Sequence, residues 1–250
     1  MFIYVGGESD EWVDKTLAAI GNDKLKTLNL MEALGDMVKS EEDTNAAVGN
    51  EGEHDHDHDH DHEEGAGDEH IWLSLKNAAV CCEKIADELS AVSPENKSLF
   101  LENLSEYITA LNSQDKEFED LVAAMTQKNF VFCDRFPFGY FAADYGLKCY
   151  AAFSGCSAET EASFETIALL AAKVDEFNLS SICILEGGNV KIAETVRNAT
   201  KSKNQKIVEF ESMQSVTLKD IEEGATYLSL MRKNYEALKK IAENGGEIDG

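Results

Sequence analysis

Positive charge is scarce in this 250-residue sequence, where 22 lysines and arginines face 48 aspartates and glutamates for a formal charge of -26. Such a balance repels nucleic-acid phosphates and anionic membrane surfaces, which excludes nucleic acid as a partner. Long apolar runs are missing as well: none reaches the roughly 18 to 20 residues that span a bilayer. Met1 to Val5 lead straight into Gly6-Gly7 with no basic flank, so neither a membrane span nor an export signal is expected in the chain as given. Cysteine is sparse for the length, and Cys81, Cys82, Cys133, Cys149, Cys156 and Cys183 form no CxxC pair. A disulfide scaffold is thereby excluded, and most of these thiols read as small buried apolar side chains. Histidine is absent everywhere except residues 54 to 70.

What is present is enough apolar material, 43% of residues, to pack a core. Phe2 to Val5 reads as a buried strand ended by two glycines. A helix follows, with Glu8, Ser9 or Asp10 as candidate caps, Trp12, Val13, Leu17 and Ile20 at helical spacing, and Gly21-Asn22 as the stop. Lys26 to Leu30 gives a second strand. Residues 41 to 69 hold little but acidic residues, Gly, Ala and His, and are expected to form a mobile loop. Asn77 to Val92 is helical, Ser93-Pro94 breaks it, and Glu95 to about Met125 forms a second, long helical pattern. Strand candidates Phe130 to Cys133, Leu147 to Phe153, Ser181 to Glu186 and Lys206 to Glu211 then alternate with helical segments near Phe138 to Tyr145, Glu161 to Phe177, Val190 to Ser202 and Ile221 to Glu243.

Alternation of this kind predicts an α/β fold with parallel sheets flanked by helices. Two lobes are expected, joined by one long backbone helix: a partial N-terminal lobe over 1–93 carrying the loop 41–69, the connecting helix over 94–127, and a C-terminal lobe over 128–250. The first lobe has only two strands and reads as incomplete, as in an N-terminally truncated chain.

The strongest chemical signal is the alternation His54-Asp-His56-Asp-His58-Asp-His60-Asp-His62. In an extended backbone it places every imidazole on one side, about 6.5 to 7 Å apart, so that two or more can converge on one ion. Imidazole suits Zn2+, Ni2+ and Cu2+, and the intervening carboxylates add ligands and a negative field. Binding requires neutral rings and should weaken as pH falls through about 6.5. A flexible run has little geometric selectivity, so it reads as a collector or sensor. His70 stands apart at the restart of order, with acidic residues before it and the apolar Ile71-Trp72-Leu73 after it. By spacing alone it fits a structural histidine better than a ligand.

The string DEHIWLSLKNA at 68–78 closely resembles the segment that carries a metal-binding histidine in the zinc- and manganese-specific solute-binding proteins of bacterial ATP-driven transporters, the zinc-uptake and adhesin-lipoprotein group. FIYVGGESDEWVDK at 2–15, GYFAADYGLKCYAAFSGCSAETEAS at 139–163, EGATYLSLMRKNYEALKKI at 223–241 and the His/Asp-rich loop resemble further parts of that family in the same order. The resemblance implies one metal ion, Zn2+ with Mn2+ as the family alternative, held in a cleft between two lobes. It also implies an extracytoplasmic protein in the periplasm or anchored as a lipoprotein, monomeric, that hands its ion to a membrane permease. His70 matches the family's second ligand. The third falls on Arg135, whose guanidinium cannot ligate a metal, which leaves neighbouring Asp134 as a substitute. The fourth falls within Glu211 to Gln214, with Glu211 the better donor.

No catalytic residues are expected. Any Ser-His or Cys-His pairing must take its base from residues 54 to 70, and neither GxSxG nor GxxxxGK[ST] occurs. A metal-dependent hydrolase is the weakest alternative; a truncated zinc buffer working through the loop, or a nonfunctional fragment, is the nearer one.

Overall fold

The computed structural model describes residues 1–22, 24–44, 46–48, 67–155, 157 and 161–246; the histidine run 54–62 lies outside them. The described residues fall into two compact units, one of 1–44 with 67–116, the other of 46–48 with 117–246.

In the first unit, β1 (Phe2–Tyr4) and β2 (Thr27–Asn29) pair in parallel, Phe2 opposite Thr27 and Tyr4 opposite Asn29. Parallel neighbours need a crossover, supplied by α1 (Trp12–Ile20). Gly21 ends α1 in the left-handed conformation, φ 57°. None of the three expected caps holds α1 directly: a 3-10 turn over Glu8–Asp10 precedes it and Asp10 instead accepts the Gly6 N–H at 2.9 Å. β1 is also less covered than its composition predicts, with Ile3 36% exposed, because its single paired neighbour among the described residues shields only part of it. Asn29 caps the short α2 (Leu30–Leu34).

The shoulders of the expected loop 41–69 are ordered. Glu41–Thr44 forms the single turn α3, Ser40 and Asp43 hydrogen-bond reciprocally at its start, and Gly67 bridges back to Ser40. Ser74 caps α4 (Leu75–Val92) by accepting the Asn77 N–H. A 3-10 turn at Pro94–Asn96 separates α4 from α5 (Lys97–Ala124), whose 28 residues rise about 42 Å at 1.5 Å each.

The second unit is a five-stranded, fully parallel sheet in the order β3-β5-β4-β6-β7, from β3 (Ala47–Val48), β4 (Asn129–Phe136), β5 (Lys148–Ser154), β6 (Ser181–Leu185) and β7 (Lys206–Phe210). One face packs Val131, Cys133, Ala152, Ile182 and Ile184 against Leu170 and Val174 of α7 (Phe164–Glu176) and Ile192, Ala193 and Val196 of α8 (Val190–Ala199). The aromatic side chains form another cluster: Phe132 stacks on Phe138 at 5.5 Å, Phe138 meets Phe210 at 5.7 Å, and Phe118 of α5 meets Phe141 of α6 (Gly139–Tyr145) at 5.1 Å. Helices covering a parallel sheet follow from strands apolar on both faces. The last helical segment is two helices, α9 (Leu218–Glu222) and α10 (Tyr227–Asn244), because Gly224 at φ 96° turns the chain and Thr226 starts a new capping box.

Burial pushes the Cys133 thiol up to about 12 and Cys183 well above its ordinary value, so both behave as the inert apolar side chains their sequence context suggests. Among the described residues no helix is long and apolar enough to cross a membrane.

Candidate metal centre

His70 sits where the chain leaves the acidic segment and begins a 3-10 turn over Ile71–Leu73. Ile71, Leu73 and Leu75 are at most 1% exposed and fix that turn in the core, so His70 is itself 1% exposed. One carboxylate oxygen organises the ring: Asp68 Oδ1 accepts the His70 backbone N–H at 2.9 Å and lies 2.7 Å from Nδ1. The Asp68 backbone N–H donates to the Lys39 carbonyl at 2.8 Å. Burial is the largest influence on the Asp68 carboxyl and acts to raise it, but the hydrogen bonds and field from His70 and the Thr44 hydroxyl outweigh it and hold the group below its ordinary value. The Trp72 ring lies 5.3 Å from the imidazole.

Glu69, 7% exposed, fastens this segment to the first strand–helix turn. Its carboxylate accepts the Ser9 N–H at 3.0 Å and the Ser9 hydroxyl. Gly7, at φ 82°, allows that approach, since a Cβ there would come within 2.8 Å of Glu69 Oε2.

In the second unit the candidate carboxylates lie at the C-terminal ends of parallel strands, where ligands bind in open α/β sheets. β4 carries a bulge: Phe132 and Arg135 are opposite Ala151 and Phe153, so β4 uses one residue more than β5. The extra residue re-aims the chain at Asp134 and leaves Arg135 exposed. The Asp134 carboxylate turns back on the backbone, accepting the Arg135 N–H at 2.9 Å and, more weakly, the Leu185 N–H at 3.4 Å. Gly188 is packed so close that a Cβ would fall 2.2 Å from Asp134 Oδ2.

Glu211 follows β7 directly. Asn234 of α10, fully buried, accepts the Glu211 N–H at 2.7 Å and donates to its carbonyl at 2.9 Å. The Glu211 carboxylate meets Lys233 at 2.6 Å, and both line an open pocket of about 480 Å³ shared with Glu186. Glu186, missed in the sequence, follows β6 and accepts the Ser212 N–H at 2.7 Å, the Ser212 hydroxyl at 2.6 Å and the Ser215 hydroxyl at 3.1 Å. The signal for it was available: the sequence ends two successive strand candidates on an acidic residue, at 186 and 211.

Among the described residues no three His, Cys, Asp or Glu side chains are gathered at metal-holding distance. His54, His56, His58, His60 and His62 lie outside the described residues.

A family profile described as "ZnuA: Zinc-uptake complex component A periplasmic" matches residues 1–241. The zinc-binding lipoprotein AdcA of Streptococcus pneumoniae is 34% identical over 249 residues, covering 98% of this chain and 46% of that protein. The high-affinity zinc uptake system protein ZnuA of Bacillus subtilis is 29% identical over 240 residues, 96% of this chain and 70% of that one. The chain thus spans about half the length of the AdcA relatives it matches. The crystal structure of the Zn(II)-bound ZnuA-like domain of Streptococcus pneumoniae AdcA matches with a TM-score of 0.69 at 31% identity, covering 96% of this chain and 79% of that one. The metal-dependent lipoprotein YcdH of Bacillus subtilis shares the fold, with a TM-score of 0.74 at 24% identity over 96% of this chain and 79% of its own. On the strength of the family match along nearly its whole length, this chain belongs to the ZnuA family of zinc-uptake complex components.

Proposed function

We propose that the chain binds zinc as cargo, as the substrate-binding component of a zinc-transporting ATP-driven system outside the cytoplasmic membrane, and releases it to a membrane permease. The observation that carries this reading is His70: a buried imidazole with one nitrogen held by a carboxylate, within the 1–241 stretch that matches the family. Imidazole is a preferred zinc donor, and a ring fixed at Nδ1 is prepared to ligate through Nε2. Asp134 and Glu211 are the candidate carboxylate ligands of the second unit. Asp134 is at present hydrogen-bonded to backbone N–H groups and Glu211 to Lys233 through one oxygen, and each carboxylate keeps lone pairs for a metal. The run His54 to His62 serves as a collector with low selectivity.

The test is calorimetric zinc titration of the chain, of a variant lacking 51–64, and of His70→Ala. A receptor keeps one tight site when the segment is removed and loses it with His70. Binding that disappears entirely with the segment identifies a zinc buffer and refutes the receptor reading.

A further inference from the structure

We infer that Asp68 is a positioning residue for the cargo metal: it fixes His70 as the Nδ1–H tautomer and sets the imidazole so that Nε2 is the donor atom. This deepens the zinc reading and rests on it. The geometry decides the tautomer. Asp68 Oδ1 already accepts the His70 backbone N–H at 2.9 Å, and an ionised carboxylate has no proton to give, so the 2.7 Å contact to the ring has Nδ1 as donor. A neutral imidazole protonated at Nδ1 carries its lone pair on Nε2.

Orientation is equally constrained. The ring is 1% exposed and packed beside Trp72, its backbone N–H is bound by the same oxygen as its side chain, and Asp68 is tethered in turn through its own N–H to Lys39. Rotating the imidazole breaks a buried charged hydrogen bond to Asp68, itself 5% exposed.

The choice of a carboxylate points the same way. An asparagine carbonyl would accept both N–H groups without a buried charge to desolvate, so for stability alone the neutral side chain is the cheaper solution. An anion behind the ring strengthens the imidazole as a donor and compensates an arriving divalent cation, which an amide does not.

The experiment uses the full chain with His54, His56, His58, His60 and His62 each replaced by asparagine, so that His70 is the sole imidazole. Long-range proton–nitrogen correlation spectra of the metal-free protein report the tautomer, and competition with a chelator reports zinc affinity. The expected spectrum shows a protonated Nδ1 and an unprotonated Nε2. Asp68→Asn should keep that pattern and weaken zinc binding about 10-fold, and Asp68→Ala should lose the tautomer preference and weaken it by about 10- to 100-fold. If Asp68→Ala does not fold, Asp68→Asn decides. A protonated Nε2 in the parent, or unchanged zinc affinity in both Asp68 variants while His70→Ala loses binding, overturns the inference and leaves the zinc reading intact. Unchanged affinity in His70→Ala overturns the zinc reading itself, while the spectrum still answers for the Asp68–His70 pair.

Discussion

Asn234 is the side chain that holds the Glu211 turn to α10, and replacing it with leucine, similar in volume and unable to hydrogen-bond, isolates that role. Its Oδ1 takes the Glu211 N–H at 2.7 Å and its Nδ2 reaches the Glu211 carbonyl at 2.9 Å, and the side chain is 0% exposed. Asn234→Leu leaves two backbone groups without those partners at a half-buried residue. Each orphaned buried group costs about 1 to 3 kcal/mol, and partial access of water to Glu211 places the sum toward the lower end, about 2 to 4 kcal/mol. In a domain of this size 1 kcal/mol moves Tm by about 2 to 4 °C, so scanning calorimetry should show a fall of about 4 to 16 °C. Urea unfolding should show a lower midpoint at unchanged slope. A loss under about 0.5 kcal/mol, the range of ordinary surface substitutions, would refute the assignment of Asn234 as the anchor of this turn.

Gly7→Ala should destabilise the first unit by about 2 to 4 kcal/mol, from a left-handed backbone and the clash with Glu69, whereas Gly21→Ala, with nothing within 4 Å of its added Cβ, should lose only about 1 to 2 kcal/mol in chemical denaturation. Glu117→Gln removes a bidentate pair with Arg232 at 2.5 and 2.7 Å, but both side chains are 41% exposed, so the loss should stay within about 1 kcal/mol and shrink in salt. Hydrogen bonding to Arg232 holds the Glu117 carboxyl below its ordinary 4.5. A depressed acid stabilises the fold above its unfolded value and stops doing so as pH falls through the folded one. The difference between parent and Glu117→Gln should therefore be full at pH 7 and vanish on acidification below 4.5. Zinc held by the run 54–62 should be released between about pH 7.5 and 5.5, because protons compete for the imidazoles near 6.5; retention at pH 5 in equilibrium dialysis would contradict imidazole ligation.

Regular elements were legible wherever apolar periodicity and a stop signal coincided. Lys206 to Glu211 became β7, and α4 begins at Leu75, two positions ahead of the Asn77 expected as its start. The break between α9 and α10 was readable in Gly224, although the helical pattern expected from Ile221 onward ran through it. The bulge at Asp134 had no local signature: an extra residue in β4 shows only when β5 is laid beside it. The same holds for Asp68. Its place two residues before His70 was visible, but the double acceptance by one oxygen depends on a buried turn that Ile71, Leu73 and Leu75 create together. Glu186 was overlooked because its partners, Ser212 and Ser215, come from a different strand end.

Diffraction from zinc-loaded crystals, recorded on both sides of the zinc absorption edge, addresses the ligand assignment without intermediaries. Ligation through His70 requires an anomalous peak about 2.0 to 2.1 Å from its Nε2, with Nδ1 still on Asp68. A loaded crystal with zinc bound elsewhere and His70 untouched, or with the ion on Nδ1, contradicts it.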